Sequence, residues 1–492
     1  MASTSTDTSV TTNSSKFLEG FCSTEDFFHH FVPYLTYQDV GRLESVSKRL
    51  QTLAQESMWK VVCRRDFNFQ EDDHDMIGPT YHQERRSFDR LEKASNWKYC
   101  YHKWWFWTQW TGGKAKPHHL REAIALWARC RAVLTELGLQ NVVDSLCPGL
   151  DRREFSRMFR ARNYHKCPLP SSLIASYSVR AGQQELSPLR PQVQDIFSGL
   201  FGSFSCYDDL YSLRLVNVRS FQNPFSRVRL MGVAPIILGI NCVTVGNNPP
   251  TYLFLRTTPE DPEGQLAIAH DYLSYGEKTV VGQGGFLAYL RQYVEHLEAG
   301  IYKRVQFIDE DPSSHGIGLF PDGGPTMSCA ITRGIEVRAS ARWFPARLQD
   351  QQGQESHFGY NIRIRMVDPD PEFDTCQLVS QHLQFMDGNG KVQRVHREAV
   401  DGKQPVFFQD ATAGRPGYID MGPAGDGDRF EDKTFVYQSD TGPVAGTSLQ
   451  DTKLASIKGT FRFVPGTISN PKGPEFHVVL ASFPLTVPMP FY

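Results

Sequence analysis

The feature that most limits what this chain can fold into lies in its last third, where apolar residues recur at every second position. Ile335, Val337, Ala339 and Ala341 alternate with polar residues, and so do Phe358, Tyr360, Ile362 and Ile364; Phe461 and Phe463 follow the same rule, then Phe476, Val478 and Leu480. A period of two puts all the apolar side chains of a strand on one face, so each run calls for a strand with one buried and one wet side. Turn residues bound the runs, and Asp387-Gly388-Asn389-Gly390 reads as a hairpin turn. Several short alternating strands at this spacing predict a two-sheet sandwich. The Gly/Pro-rich stretch 410–429 reads as an added surface loop within it.

The first two thirds follow other periods. Phe27, Phe28, Phe31 and Leu35, then Val40, Leu43, Val46, Leu50 and Leu53, keep helical spacing, with Pro33 interrupting and Trp59, Val62 and Cys63 closing the pattern. Two or three short helices are expected, with Ser23 and Thr24 as N-cap candidates. So small a unit has little core of its own, and its apolar face is most stable against a partner. Next come Trp97, Trp104, Trp105, Trp107 and Trp110. Such rings can stack nucleobases; their mixed spacing instead predicts a wedge between the helical module and the next domain. Leu120, Ile124, Trp127, Leu134 and Leu137 form another helical pattern, broken at Cys147–Leu150. The middle third reads as a helix in 166–184, strands in 199–216, 232–246 and 252–257, and a closing helix. That helix carries Phe286, Leu287, Leu290, Tyr293, Val294 and Leu297 on one face, with Gly300 as its C-cap.

A length of 492 residues exceeds what one core usually organises, so two or three packed units are expected. Lys and Arg total 52 against 54 for Asp and Glu, a formal charge of −2 that gives no overall footprint for nucleic acid or an anionic membrane. No apolar run approaches the roughly 20 residues that span a bilayer. The Ser/Thr-rich start, residues 1–16, lacks a signal-peptide core and reads as a disordered tail. The ten cysteines stand singly without a C-x-x-C pair, as expected of reduced thiols in a cytoplasmic or nuclear protein.

The segment FVPYLTYQDVGRLESVSKRLQTLAQESMWKVVCRRDF, residues 31–67, resembles the F-box. It departs from that motif where Ser23-Thr24 replaces the opening Leu-Pro and where Leu50 replaces the aromatic after the Lys-Arg pair. Residues 120–302 resemble the SUKH superfamily, which binds protein partners, in their order of LP-x-x-L, Y, GQ, a G-x-x-PI strand and a final amphipathic helix. TRGIEVRASARWFP, FGYNIRIRMV, LVSQHLQFMDGNGKVQRVHREAVDGKQPVF, FVYQSDT, IKGTFRFV and FHVVLASFPLTVP resemble the ApaG domain, in that family's order. Together the three resemble the F-box only protein 3-like family, which includes plant relatives.

The resemblance implies a multidomain α+β chain: a disordered tail (1–20), a helical F-box (21–70), an aromatic-rich connector (71–119), an α+β SUKH-like domain (120–305), a linker (306–328) and an ApaG β-sandwich of immunoglobulin/fibronectin type (329–492). It implies the non-catalytic substrate receptor of an SCF-type ubiquitin ligase. Its partners would be a Skp-type adaptor and, through it, a cullin, a RING subunit and a ubiquitin-conjugating enzyme, together with a substrate protein of unknown identity. No nucleic acid, membrane or cofactor is implied. Phe31, Leu35, Val40, Leu43, Val46 and Lys48 are the expected adaptor-docking residues, since an amphipathic helical patch suits a partner helix.

ApaG domains carry a glycine-rich turn whose backbone amides can hold a pyrophosphate. Here the matching stretch, Arg394 to Gly402, keeps Gly402 alone of the glycines and adds Glu398 and Asp401. His382, Arg394, His396, Arg397 and Gly402 therefore form a weak candidate for an anionic ligand, and a ligand-sensing scaffold without ligase function is the alternative reading. Other signals point to ordinary turns and loops. Gly276-Glu277-Lys278-Thr279 lacks the features of a phosphate loop, and Gly282-Gln283-Gly284-Gly285 has no βαβ frame. Glu71-Asp72-Asp73-His74-Asp75 lacks a calcium loop's glycine, and neither His29-His30 nor His118-His119 has partners at metal-ligand spacing. No nucleophile elbow or H-E-x-x-H stands in the chain.

Overall fold

The computed structural model describes residues 20, 27, 31–67, 96–111, 113–151, 153–156, 169–184, 196–206, 209–217, 236–241, 252–256, 261–269, 279–282, 284–307, 311, 313–344, 356–368, 370, 372–400, 402–409, 416–421, 428–431, 434–444 and 455–486. Ser23-Thr24, His29-His30, the acidic run 71–75 and residues 276–278 lie outside them. Two compact units emerge, one drawing on the chain up to 128 and on 148–181, the other on 129–147 and on everything from 182 onward. No described helix is long and apolar enough to cross a membrane.

In the first unit a 3-10 turn, Val32–Tyr34, holds Pro33 at its start, where the missing N–H costs nothing. Helix α1, Tyr37–Glu44, opens on a capping box: the Thr36 hydroxyl accepts from the Asp39 amide at 3.2 Å, and the Asp39 carboxylate accepts from the Thr36 amide at 3.0 Å. Then come α2, Lys48–Leu53, a π-turn at Ala54–Met58, α3, Trp59–Phe67, and α4, Asn96–Trp110. Val40, Leu50, Met58, Trp59, Val62 and Phe67 are buried. The predicted aromatic connector supplies part of this packing: Tyr101 of α4 sits 5.3 Å from the Trp59 ring and 5.1 Å from Phe67, with Trp104 buried beside them. Fully burying such side chains is worth about 2 kcal/mol each, which a module of this size needs. Farther along stand the first part of α5, Pro117–Glu136, which runs on into the second unit as does the short α6, Gln140–Ser145, and α7, Ser171–Val179, whose Ser176 hydroxyl accepts from the Trp127 indole at 3.0 Å.

The second unit contains a six-stranded antiparallel meander: β1, Ser203–Cys206; β2, Asp209–Leu215; β3, Ile236–Asn241; β4, Tyr252–Arg256; β5, Gln265–Ala269; and β6, Thr279–Gly282. Helix α8, Gly285–Glu298, comes next, and Gly300 ends it as expected: its amide bonds Leu297 O while the Ile301 amide bonds His296 O, a Schellman closure. The Gln183 of the GQ pair is buried and fully satisfied, its amide giving to Ser145 Oγ and Ser198 O and accepting from the Leu200 and Leu215 amides. Residues 306–328, expected as a linker, are built into this unit. β7, Arg304–Gln306, pairs with β8, His315–Ile317, and the Leu319 amide bonds Ser203 O.

The sandwich expected from the alternating runs is present. One sheet orders β9, Met327–Thr332, β10, Ile335–Phe344, β11, Ser356–Met366, and β17, Phe435–Val444. The other, of eight strands, includes β12, Thr375–Met386, β13, Val392–Arg397, β14, Val406–Gln409, β15, Pro416–Asp420, β16, Asp428–Glu431, β18, Ala455–Thr467, and β19, Phe476–Leu485. The alternating residues named above all lie in one buried core between the sheets. The β9–β10 turn needs positive φ at both Arg333 (49°) and Gly334 (76°), and a Cβ on Gly334 would stand 1.7 Å from Asp368 O. Arg333 is held there by Asp370 and Glu372 and lies over the Phe373 and Phe476 rings. Part of the expected loop 410–429 is instead the hairpin β15–β16, because Tyr418 packs inward against Phe407 and Phe435.

The outward face of the four-stranded sheet is covered. Asp322 pairs with Lys303, with Arg363 at 2.5 Å and with Arg338 at 3.6 Å, while Glu336 takes Arg365 at 2.7 Å and Arg338 at 3.1 Å. Burial alone would raise both carboxyls, but these guanidinium and ammonium groups hold them below their ordinary values. The Arg342 charge reaches Tyr289 and Tyr293 of α8, whose hydroxyls burial pushes up.

Candidate functional site

The expected docking residues sit at the start of the first unit, on a frame locked by one side chain. Arg65 Nη1 donates to both Pro33 O and Leu35 O at 2.7 Å, and its guanidinium pairs with Asp66 at 2.6 Å; Asp66 in turn accepts from the Tyr101 hydroxyl at 2.8 Å. Lys98 of α4 reaches back to Glu44 at the end of α1 at 2.6 Å. On this frame Phe31 is 50% exposed and Val46 48%; Leu35 and Leu43 are half-buried and Lys48 is exposed. The Val46 amide bonds Leu43 O, which sets those two side by side after α1. Val40 differs from the expectation: it is fully buried and supports the surface from beneath, because its place on α1 faces the Leu50 and Met58 core. Tyr34, 84% exposed, was not singled out from the sequence, although its position one residue after Pro33 in a turn without inward spacing signals it.

The anion candidates lie on the eight-stranded sheet and divide. His382 of β12 and His396 of β13 are cross-strand partners with ring centroids 4.1 Å apart, and Arg394 opposes Gln384 on the same outward face. Arg397, one residue beyond His396, belongs to the other face of the strand, where its charge acts on Tyr360. Gly402, with φ 73°, occupies a tight turn in which the Val400 and Lys403 amides and carbonyls bond each other at 3.0 Å, so those two N–H groups are already used. Burial, and then the charges of His396, Arg462 and His477, lower the His382 pKa below the ordinary histidine value. Arg462 and His477, not among the residues singled out from the sequence, thus join this group; their outward positions in the alternation of β18 and β19 were the available signal. Among the described residues no three His, Cys, Asp or Glu side chains converge as metal ligands.

Comparison with known proteins shows what the chain is similar to. Residues 346–412 match the family model described as the ApaG domain. Over 484 residues the chain is 26% identical to the F-box protein SKIP16 of Arabidopsis thaliana, an alignment covering 92% of this chain and 94% of that one. It is 32% identical over 150 residues to Protein ApaG of Dechloromonas aromatica, covering 30% of this chain and 90% of that protein. Among solved structures, the ApaA protein from Bordetella pertussis aligns with 25% identity and a TM-score of 0.21, over 31% of this chain and 94% of that one.

Proposed function

Because the chain belongs to the F-box/ApaG protein family, with the ApaG domain in its last third, we propose that it is the substrate-recruiting subunit of an SCF-type ubiquitin ligase. The helical module formed by α1 to α4 is the F-box and docks a Skp-type adaptor, and through it the cullin, the RING subunit and the ubiquitin-conjugating enzyme. The observation that carries this reading is that Phe31, Tyr34 and Val46 stand exposed within a short span, beside half-buried Leu35 and Leu43, on a module whose core of Val40, Leu50, Met58, Trp59, Val62 and Phe67 is buried. Exposed apolar side chains on a rigid helical frame are what a partner helix fills. The reaction itself is left to the partners: the receptor holds its target beside the charged conjugating enzyme and so raises the effective concentration of the acceptor lysine. The meander with α8 forms the SUKH-type domain, and the work is done in the cytoplasm or nucleus.

A scaffold that senses a small diphosphate at the Gly402 turn has less behind it, since the Val400 and Lys403 amides there already have partners. The test is co-purification of a Skp-type adaptor with the full chain and with a Leu43→Asp/Val46→Asp variant. The full chain is expected to retain the adaptor and the variant to lose it. Equal retention, or none by the unaltered chain, contradicts the reading.

A further inference from the structure

The antiparallel register carries the His382–His396 pair outward into a larger pattern. Reading across the eight-stranded sheet, β13, β12, β18 and β19 present three rows of outward residues. The middle row is His396, His382, Thr460 and Val479; one flanking row holds Arg394, Gln384 and Lys458; the other holds Arg462 and His477, opposite a Ser380 that is itself buried. Between these run the core residues Leu383, Phe461 and Val478, so the rows lie on the solvent side. Arg394, His396, Lys458 and His477 are exposed. Two carboxylates border the last row: Glu398, next after Arg397 where β13 ends, and Glu475, which pairs with Arg462 at 3.4 Å; the other two rows hold none. In a chain with a net charge of −2, three permanent cations and three histidines have been gathered on one flat surface.

We propose that this face docks an extended acidic segment of a partner protein, with an affinity that rises as pH falls. Strands lie about 4.8 Å apart and alternate residues along a strand about 6.7 Å apart, so the surface is roughly 13 Å on a side. That is too broad for one phosphate to engage. An extended peptide places alternate side chains at about the same 6.7 Å, matching carboxylates to successive rows. Stacking surface for nucleobases is missing, since the rows hold no aromatic ring besides imidazole, and Val479 is the one large apolar group there, too little for a membrane anchor. The groups that face His382 are His396 on one side and Arg462 and His477 on the other; all three disfavour its protonation in the free protein. Carboxylates laid over the rows reverse that balance. His382 then takes up a proton more readily in the complex than in the free protein, and binding strengthens as pH falls.

Identifying such a segment as the mark of a ligase target rests on the recruiting role proposed above; the binding does not. The experiment measures fluorescence anisotropy of a labelled peptide of alternating glutamate and serine with the full chain, at about pH 7.5 and about pH 6. Parallel probes are the glutamine-for-glutamate peptide and a single-stranded oligonucleotide of equal charge. The expected result is binding of the acidic peptide, tighter by several-fold at the lower pH, and weakened roughly tenfold in Arg394→Glu/Lys458→Glu at an unchanged unfolding temperature. Should that variant fold poorly, His382→Gln serves instead and is expected to lose part of the pH dependence. No binding, binding indifferent to the variants, or tighter binding of the oligonucleotide overturns the proposal. Adaptor co-purification with the same variants separates the two readings, because charge reversal on the sheet is expected to leave the adaptor bound.

Discussion

The two outward faces of the C-terminal sandwich are built from the same alternation and end in opposite states. On the four-stranded sheet Glu336, Arg338, Arg363 and Arg365 meet one another and Asp322, with Glu336 and Asp322 almost withdrawn from solvent. On the eight-stranded sheet the cations of Arg394 and Lys458 stand open, with the His396 and His477 rings exposed beside them. The first face is a structural joint, where Pro321 and Asp322 are fastened to Arg363 of the sandwich; the second keeps Arg394, His396, Lys458 and His477 exposed. The lesson is one of cost. Charges that leave water must be paired, and a surface that keeps like charges unpaired gives up stability that a partner can restore.

The contrast breaks most directly at Asp322. Replacing it with alanine strands Arg363, Arg338 and Lys303, and denaturant unfolding is expected to show a loss of about 3 kcal/mol, whereas a loss near zero would make this face as open as the other. Glu336→Gln, which keeps the shape but not the charge between Arg338 and Arg365, is expected to cost about 1–2 kcal/mol in the same assay. Acid sharpens the comparison. Asp322 and Glu336 have carboxyls held below their ordinary values, so the stability they contribute is full above about pH 4–5 and drains as pH falls through their lower folded-state values. Unfolding midpoints measured downward from about pH 5 should therefore fall less steeply in Glu336→Gln than in the unaltered chain.

The open face responds less and at higher pH. His382 has its pKa lowered, so the folded chain resists a proton that the unfolded chain accepts, and stability declines as pH drops below about 6.5. His382→Gln is expected to flatten that small decline; an unchanged slope would remove His382 from the cationic group. Smallest of all, Arg394→Glu/Lys458→Glu is expected to stay within about 0.5 kcal/mol of the unaltered chain.

Alternation told which residues of β10, β11, β18 and β19 face the core, because a period of two survives any arrangement of sheets. It was silent on which outer face is covered, since that depends on contacts distant in sequence: Asp322 was read as linker, and nothing local marks it as the partner of Arg363. Helical spacing likewise marked the helices of the first unit, but set Val40 with Leu43 when one is core and the other half-buried. The Trp-rich stretch was assigned to a connector because its all-round aromatic character hides a face. Tyr101 and Trp104 pack on Trp59 and Phe67 within the helical module itself. Single residues of the ApaG motif carried their place but not their role: His382 and His396 meet, while Arg397 and Gly402 stand apart from them by strand parity and by turn geometry.

The central claim is that adaptor docking and target selection occupy different regions of this chain. Hydrogen exchange of the full chain, free and bound to a Skp-type adaptor, reads it directly. The account predicts added protection in the peptides spanning residues 31–48 and none in those of β12, β13 and β18; protection of the sheet strands with residues 31–48 unchanged would contradict it.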